Sequence, residues 1–180
     1  YVKLQNFVKV HPDMAAWLVS GSSGAAPYIS TAKGSFDLYV PFIEKGLALL
    51  NEGGRMGYIA PSLWPTLEYG AGLRGLVAHG RHLEKWIDFR SFQLFEDATV
   101  YTAIQIFSKA PVDAIGLAFV GDGDVSRIDW ADPDMMLRYA DITRPLDPWL
   151  IAPAPVRTMI ERLGRQGRRL DQPENSKAII

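Results

Sequence analysis

Imidazoles, thiols and activated hydroxyls are the first groups to test for chemistry, and this chain offers few of them in useful spacings. Its three histidines are His11, His79 and His82, and it has no cysteine. None of the histidines stands in an H-E-x-x-H spacing, and neither a G-x-S-x-G nor a Walker loop occurs. A general base needs a partner that orients it, so lone histidines like these are read as structural or solvent-facing. The missing thiols exclude disulfides and thiolate metal sites. Gly121-Asp122-Gly123-Asp124 sets carboxylates at alternate positions, yet the flanking helices and further ligands of a calcium loop are absent. It reads as a hairpin turn, and no metal is expected.

Three blocks in fixed order carry a stronger signal. The first is Phe36-Asp37-Leu38-Tyr39-Val40-Pro41-Phe42-Ile43-Glu44-Lys45. The second is Gly53-Gly54-Arg55-Met56-Gly57-Tyr58-Ile59-Ala60-Pro61-Ser62-Leu63-Trp64, and the third runs from Leu94-Phe95-Glu96-Asp97 through Val100 to Phe107. In order and spacing they resemble the motifs that follow the catalytic loop in the gamma-class adenine-N6 DNA methyltransferases. That group contains the Taq I-like enzymes and the fused type IIG restriction–modification proteins. Tyr1-Val2-Lys3-Leu4-Gln5 is similar to the continuation of the family's Asn-Pro-Pro-Tyr loop, with Tyr1 as its last residue. The likeness covers residues 1–110 well and 141–172 loosely.

The resemblance implies the chemistry. A base inside duplex DNA must be flipped out before its exocyclic nitrogen is reached, and a flipped base is held by aromatic stacking. Tyr1 and Phe95 are the two stacking faces by this likeness. An upstream Asn and Pro carbonyl would accept hydrogen bonds from the adenine amino group as it attacks the methyl sulfonium of S-adenosylmethionine. Phe42 is carried over as a contact to the cofactor's adenine ring; its alternative is a plain core position on an apolar helix face. Asp37 is read as a helix cap, Trp64 as packing and Arg74 as solvated. The glycine-rich cofactor loop and the Asn-Pro-Pro lie outside this sequence, so the chain alone is expected to be inactive.

These residues need elements to hold them. Residues 1–35 show little periodicity apart from a short helix expected after His11-Pro12. Leu38, Phe42, Ile43, Leu47 and Leu50 recur at helical spacing over 36–50, and Gly53-Gly54 is a suitable left-handed stop. Strands are expected at 56–60, 83–89, 99–107 and 115–120, with a helix over 69–79 whose Leu73, Leu76 and Val77 face inward. The order predicts an α/β fold, the second half of a Rossmann-like methyltransferase sheet with an antiparallel last strand. A short helix is expected over 129–139 and another over 156–163 with Met159 and Ile160 inward. Residues 1–140 are assigned to the catalytic domain, and 141–180 to a linker toward a target-recognition domain.

Composition sets the outer limits. The chain has 180 residues, 48% hydrophobic and 22% charged, with a net charge of -1. There is no run of eighteen apolar residues and no charged-then-apolar leader, so a cytoplasmic protein is expected. The near-neutral charge is unlike a stand-alone nucleic-acid binder. Charge is uneven, however: Arg157, Arg162, Arg165, Arg168 and Arg169 face one acid, Glu161, between positions 157 and 169. One reading is a solvated helix face; the other is contact with DNA phosphates. Double-stranded DNA and neighbouring domains of the same polypeptide are the expected partners. Self-association of the isolated chain stays open, because its sheet edge would lack upstream strands. Two rivals remain at this stage, a non-catalytic DNA-binding module and a related methyltransferase acting on RNA or protein.

Overall fold

Apolar spacing along the middle of the chain switches between about 3.6 residues and two, and helix and strand alternate accordingly. The computed structural model describes residues 4–20, 27–31, 36–95 and 100–166. Its helices are α1 (Leu4–Val10), α2 (Pro12–Ser20), α3 (Tyr39–Leu49), α4 (Ala71–Gly80) and α5 (Ala154–Gln166). Its strands are β1 (Arg55–Pro61), β2 (Leu83–Asp88), β3 (Thr102–Ser108), β4 (Ala114–Phe119) and β5 (Met136–Arg138). The α/β class expected from the sequence is the class observed.

The sheet has the order β1-β3-β2-β4-β5. β3 runs antiparallel to both β1 and β2, so those two are parallel to each other with β3 inserted between them. β4 adds parallel to β2, and β5 closes the far edge antiparallel to β4. The carboxyl ends of β1, β2 and β4 therefore share one edge of the sheet.

Side chains alternate across the pleat, and each face has its own cover. On one face Val40, Ile43 and Leu47 of α3 and Leu73 and Val77 of α4 pack with Trp86, Ala103, Phe107 and Leu117. Trp64 lies at the centre, edge-on to Trp86 at 6.1 Å and to Trp149 at 5.6 Å between ring centroids. The other face is thinner. There Ile87, Phe89, Ala118 and Val120 meet Leu94, Ile104 and Ile128, and Trp130 lies over Gly116, where a Cβ would come within 3.1 Å of its ring. The amino-terminal helices form a small cluster of Ala15 and Phe36 with Phe7 and Leu18. Glu44 of α3 fixes the chain beside them by accepting the N–H groups of Ile29 (3.0 Å) and Ser30 (2.8 Å).

Several local expectations are corrected. Helix α3 begins after Leu38, which has no side-chain cap bond, so Asp37 is not its N-cap. Phe42 is outside the core, 60% exposed, because the buried face of α3 runs through Val40, Ile43 and Leu47. Residues 129–139 do not form an α-helix; they hold a 3-10 turn at Pro133–Met135. Asp129 and Asp132 accept the N–H groups of Ala131 (2.8 Å) and Asp134 (2.9 Å), and these local bonds compete with helical ones. Met136–Arg138 then pairs with β4 as a strand. Gly121–Asp124 turns the chain, with Gly123 at φ +78, into a long connection to β5 instead of a tight hairpin. In α5, Met159 and Ile160 point outward at 55% and 43% exposure. α1 is a helix where periodicity gave none.

Candidate functional site

In an open α/β sheet the loops after the carboxyl ends of parallel strands form the ligand-binding edge. Here those loops follow Pro61, Asp88 and Phe119. The loop after β1 is held from every side. Gln105 of β3, fully buried, accepts the Trp64 indole N–H at 2.9 Å and donates to the Pro61 carbonyl at 3.3 Å. The hydroxyls of Tyr39 and Tyr69 meet at 2.8 Å, tying the start of α3 to the loop's end. Burial, with Tyr69 beside it, pushes the Tyr39 phenol well above its ordinary range, so it stays neutral. Ser62 donates its N–H to the Tyr101 carbonyl at 3.0 Å and joins this loop to the one that precedes β3.

Arg74 completes the clamp, and it is buried, not solvated. It is 2% exposed. Its Nη1 donates to the carbonyls of Trp64 (2.8 Å) and Leu67 (2.6 Å), and Nε and Nη2 both reach the Leu146 carbonyl. Burial lowers its hold on its proton, while Asp147 works in the opposite direction. Its sequence signal was its place on the same helical stripe as Leu73 and Val77. Trp149 donates its backbone N–H to Pro65 at 2.7 Å, so residues 142–153 are strapped to the same loop.

The loop after β2 carries Phe95. Phe89 closes the strand end by donating to the Thr102 carbonyl at 3.2 Å. Arg90 then takes a left-handed conformation, φ 54, with its N–H on Asp88 Oδ1 at 2.7 Å. Phe92 lies against Gly123, where a Cβ would come within 2.6 Å of its ring, and Leu94 joins the minor core. Phe95 itself is 49% exposed, with Tyr101 at 55% on the same edge. An aromatic ring left half in water is available to a ligand.

The other expected site residues are not gathered there. Phe42 stands on α3, which packs on β1 at one edge of the sheet; its carbonyl accepts the Tyr58 hydroxyl at 3.2 Å. α5 packs beside Pro133–Met135, toward the opposite edge. On α5, Arg157 is half-buried and donates to the carbonyls of Ala152 and Met136. Arg162 is exposed, and Arg165 is 3.7 Å from Glu161. Tyr1, Arg168 and Arg169 lie outside the described residues. Of the histidines, His82 sets Nδ1 2.9 Å from the Ser108 carbonyl and His79 is exposed. Among the described residues no group of His, Asp and Glu is arranged to hold a metal ion, and no helix is long and apolar enough to cross a membrane.

Fold and edge define a class first: an α/β domain with a mixed five-stranded sheet, presenting aromatic side chains at the carboxyl edge. Comparison with known proteins narrows it. Residues 20–95 match the Eco57I restriction-modification methylase family. The type II methyltransferase M.PaeR7I of Pseudomonas aeruginosa is 30% identical over 139 residues, 71% of this chain and 24% of that protein. The type II restriction enzyme and methyltransferase RM.Eco57I of Escherichia coli is 36% identical over 87 residues, 48% of this chain and 9% of that protein. The type IIG restriction endonuclease BpuSI, a solved structure, aligns with a TM-score of 0.49 and 14% identity over 89% of this chain and 20% of its own. The chain is similar to the type II restriction–modification methylases, and it spans a quarter or less of the length of these relatives.

Proposed function

We propose that this chain is part of a site-specific DNA methyltransferase that transfers a methyl group from S-adenosylmethionine to adenine N6, within a type II restriction–modification system. The observation that carries the reading is Phe95: a ring 49% exposed on a tethered loop at the carboxyl edge, in a chain similar to this family. A flipped adenine offers a π face of matching size, and such stacking contributes about 1–3 kcal/mol per base. Tyr1 is the proposed second face of the clamp.

S-adenosylmethionine supplies an electrophilic methyl on sulfur. Phe42 fits a contact with its adenine ring, since it is an uncharged aromatic surface, 60% exposed, on the helix beside β1. The clamp around Trp64 keeps the neighbouring loop fixed, and positioning of this kind is the protein's main task where no covalent intermediate is needed. Arg162 is a proposed phosphate contact on α5, together with Arg168 and Arg169 and with Arg165, whose exposed pair with Glu161 at 3.7 Å is weak enough to give way to a phosphate. Arg157 anchors the helix instead, because its donors are committed to carbonyls. The linker toward a target-recognition domain is proposed to start after Ala152, beyond the Trp149 anchor.

The test uses the full-length polypeptide carrying this chain. Phe95→Ala should weaken binding of a duplex with its target base extruded by about 1–3 kcal/mol and leave S-adenosylmethionine binding unchanged. Unaltered methylation by the variant would remove Phe95 from the site.

A further inference from the structure

Ten arginines fall among the described residues, and most are already engaged. Six pair with a carboxylate: Arg55, Arg81, Arg127, Arg138, Arg144 and Arg165. Arg74 and Arg157 spend their donors on backbone carbonyls. Two guanidinium groups remain without such partners, Arg162 on α5 and Arg90. Only Arg90 stands at the carboxyl edge, on the loop that leads to Phe95.

Its setting is built. The guanidinium carbon is 3.9 Å from the centroid of the Phe119 ring, at the end of β4. Phe119 lies opposite Asp88 in the β2–β4 register, so strand pairing sets the distance between ring and arginine. A contact of this kind uses the π face of the guanidinium and leaves the N–H donors in its plane free. Those donors form the fork that matches two phosphate oxygens. The backbone is also fixed at some cost. A left-handed arginine is unfavourable by about 1 kcal/mol or more, and the bond to Asp88 Oδ1 holds it there.

We propose that Arg90 is a DNA phosphate contact flanking the target base, oriented by Phe119 and set on the same loop as Phe95. The inference rests on the DNA-methyltransferase reading and adds to it a positional claim. A cation fixed beside the stacking residue grips the backbone of the strand whose base has left the helix. Phosphate contacts carry no sequence information, so the effect is equal on target and non-target DNA.

The test measures equilibrium binding of the full-length polypeptide to two duplexes, one with the target adenine and one without, at several salt concentrations. Each phosphate neutralised contributes about 0.9 to the slope of log K against log salt. Arg90→Met keeps an apolar stem over Phe119 without the charge. Its slope should fall by about 0.9 on both duplexes, so a fourfold rise in salt weakens the wild type about 3.5-fold more than the variant. Arg90→Lys should keep the slope. Arg90→Gly relieves the left-handed strain and must lose the slope as Met does, which covers a misfolded Met variant. A wild-type slope in Arg90→Met and Arg90→Gly overturns the inference and leaves the methyltransferase reading intact. A wild type that binds neither duplex overturns both.

Discussion

At Arg74 a guanidinium is withdrawn from water and returned four hydrogen bonds to three carbonyl oxygens. Burying a charge is tolerated only when its donors are matched in this way. Arg74→Met would take the donor from the buried Trp64 carbonyl and break the ties to the Leu67 and Leu146 carbonyls. We expect a loss of about 2–4 kcal/mol in urea unfolding; a loss below about 0.5 kcal/mol, the range of a surface change, would mean the clamp is dispensable. The sequence did point to this residue through its stripe with Leu73 and Val77. Charge argued for solvent, and charge is the weaker guide when backbone carbonyls converge on the site. Gln105 was hidden for a related reason. It reads as one polar position in an apolar strand, and only the fold brings Trp64 above it. The exposure of Phe95 was legible, because an aromatic beside a turn has little packing to do.

Among the elements, α5 marks the limit of pattern reading. Periodicity identifies the helix correctly, but it cannot say what covers a stripe. Val156, Met159, Ile160 and Leu163 are 38–60% exposed, whereas Trp149, in a segment without periodicity, is buried against Trp64. This assigns stability unequally. Trp149→Ala should cost about 3–5 kcal/mol by leaving a cavity beside Trp64. Met159→Gln combined with Leu163→Gln should change stability by no more than about 0.5 kcal/mol per site. Denaturant midpoints of the two variants decide it, and equal losses would place α5 in the core after all. The strand at 136–138 was missed because its three residues are too short for a period of two to register, and the aspartates before it favour turns.

For the molecule as a whole, the α/β class and most of the long elements followed from apolar spacing, while the strand order did not. The insertion of β3 between β1 and β2 depends on long-range pairing that no local pattern encodes. That insertion has a functional consequence: it brings Tyr101, at the start of β3, to the edge where β1 and β2 end. The loop carrying Phe95, the clamped loop after β1 and Arg90 consequently share one side of the sheet. The most direct measurement is nucleoside analysis by mass spectrometry of DNA incubated with S-adenosylmethionine and the full-length polypeptide, wild type or Phe95→Ala. We expect N6-methyldeoxyadenosine from the wild type and a reduction of about tenfold or more in the variant, the scale of a lost stacking contact. A methyl group found on cytosine, or on no base at all, would contradict it.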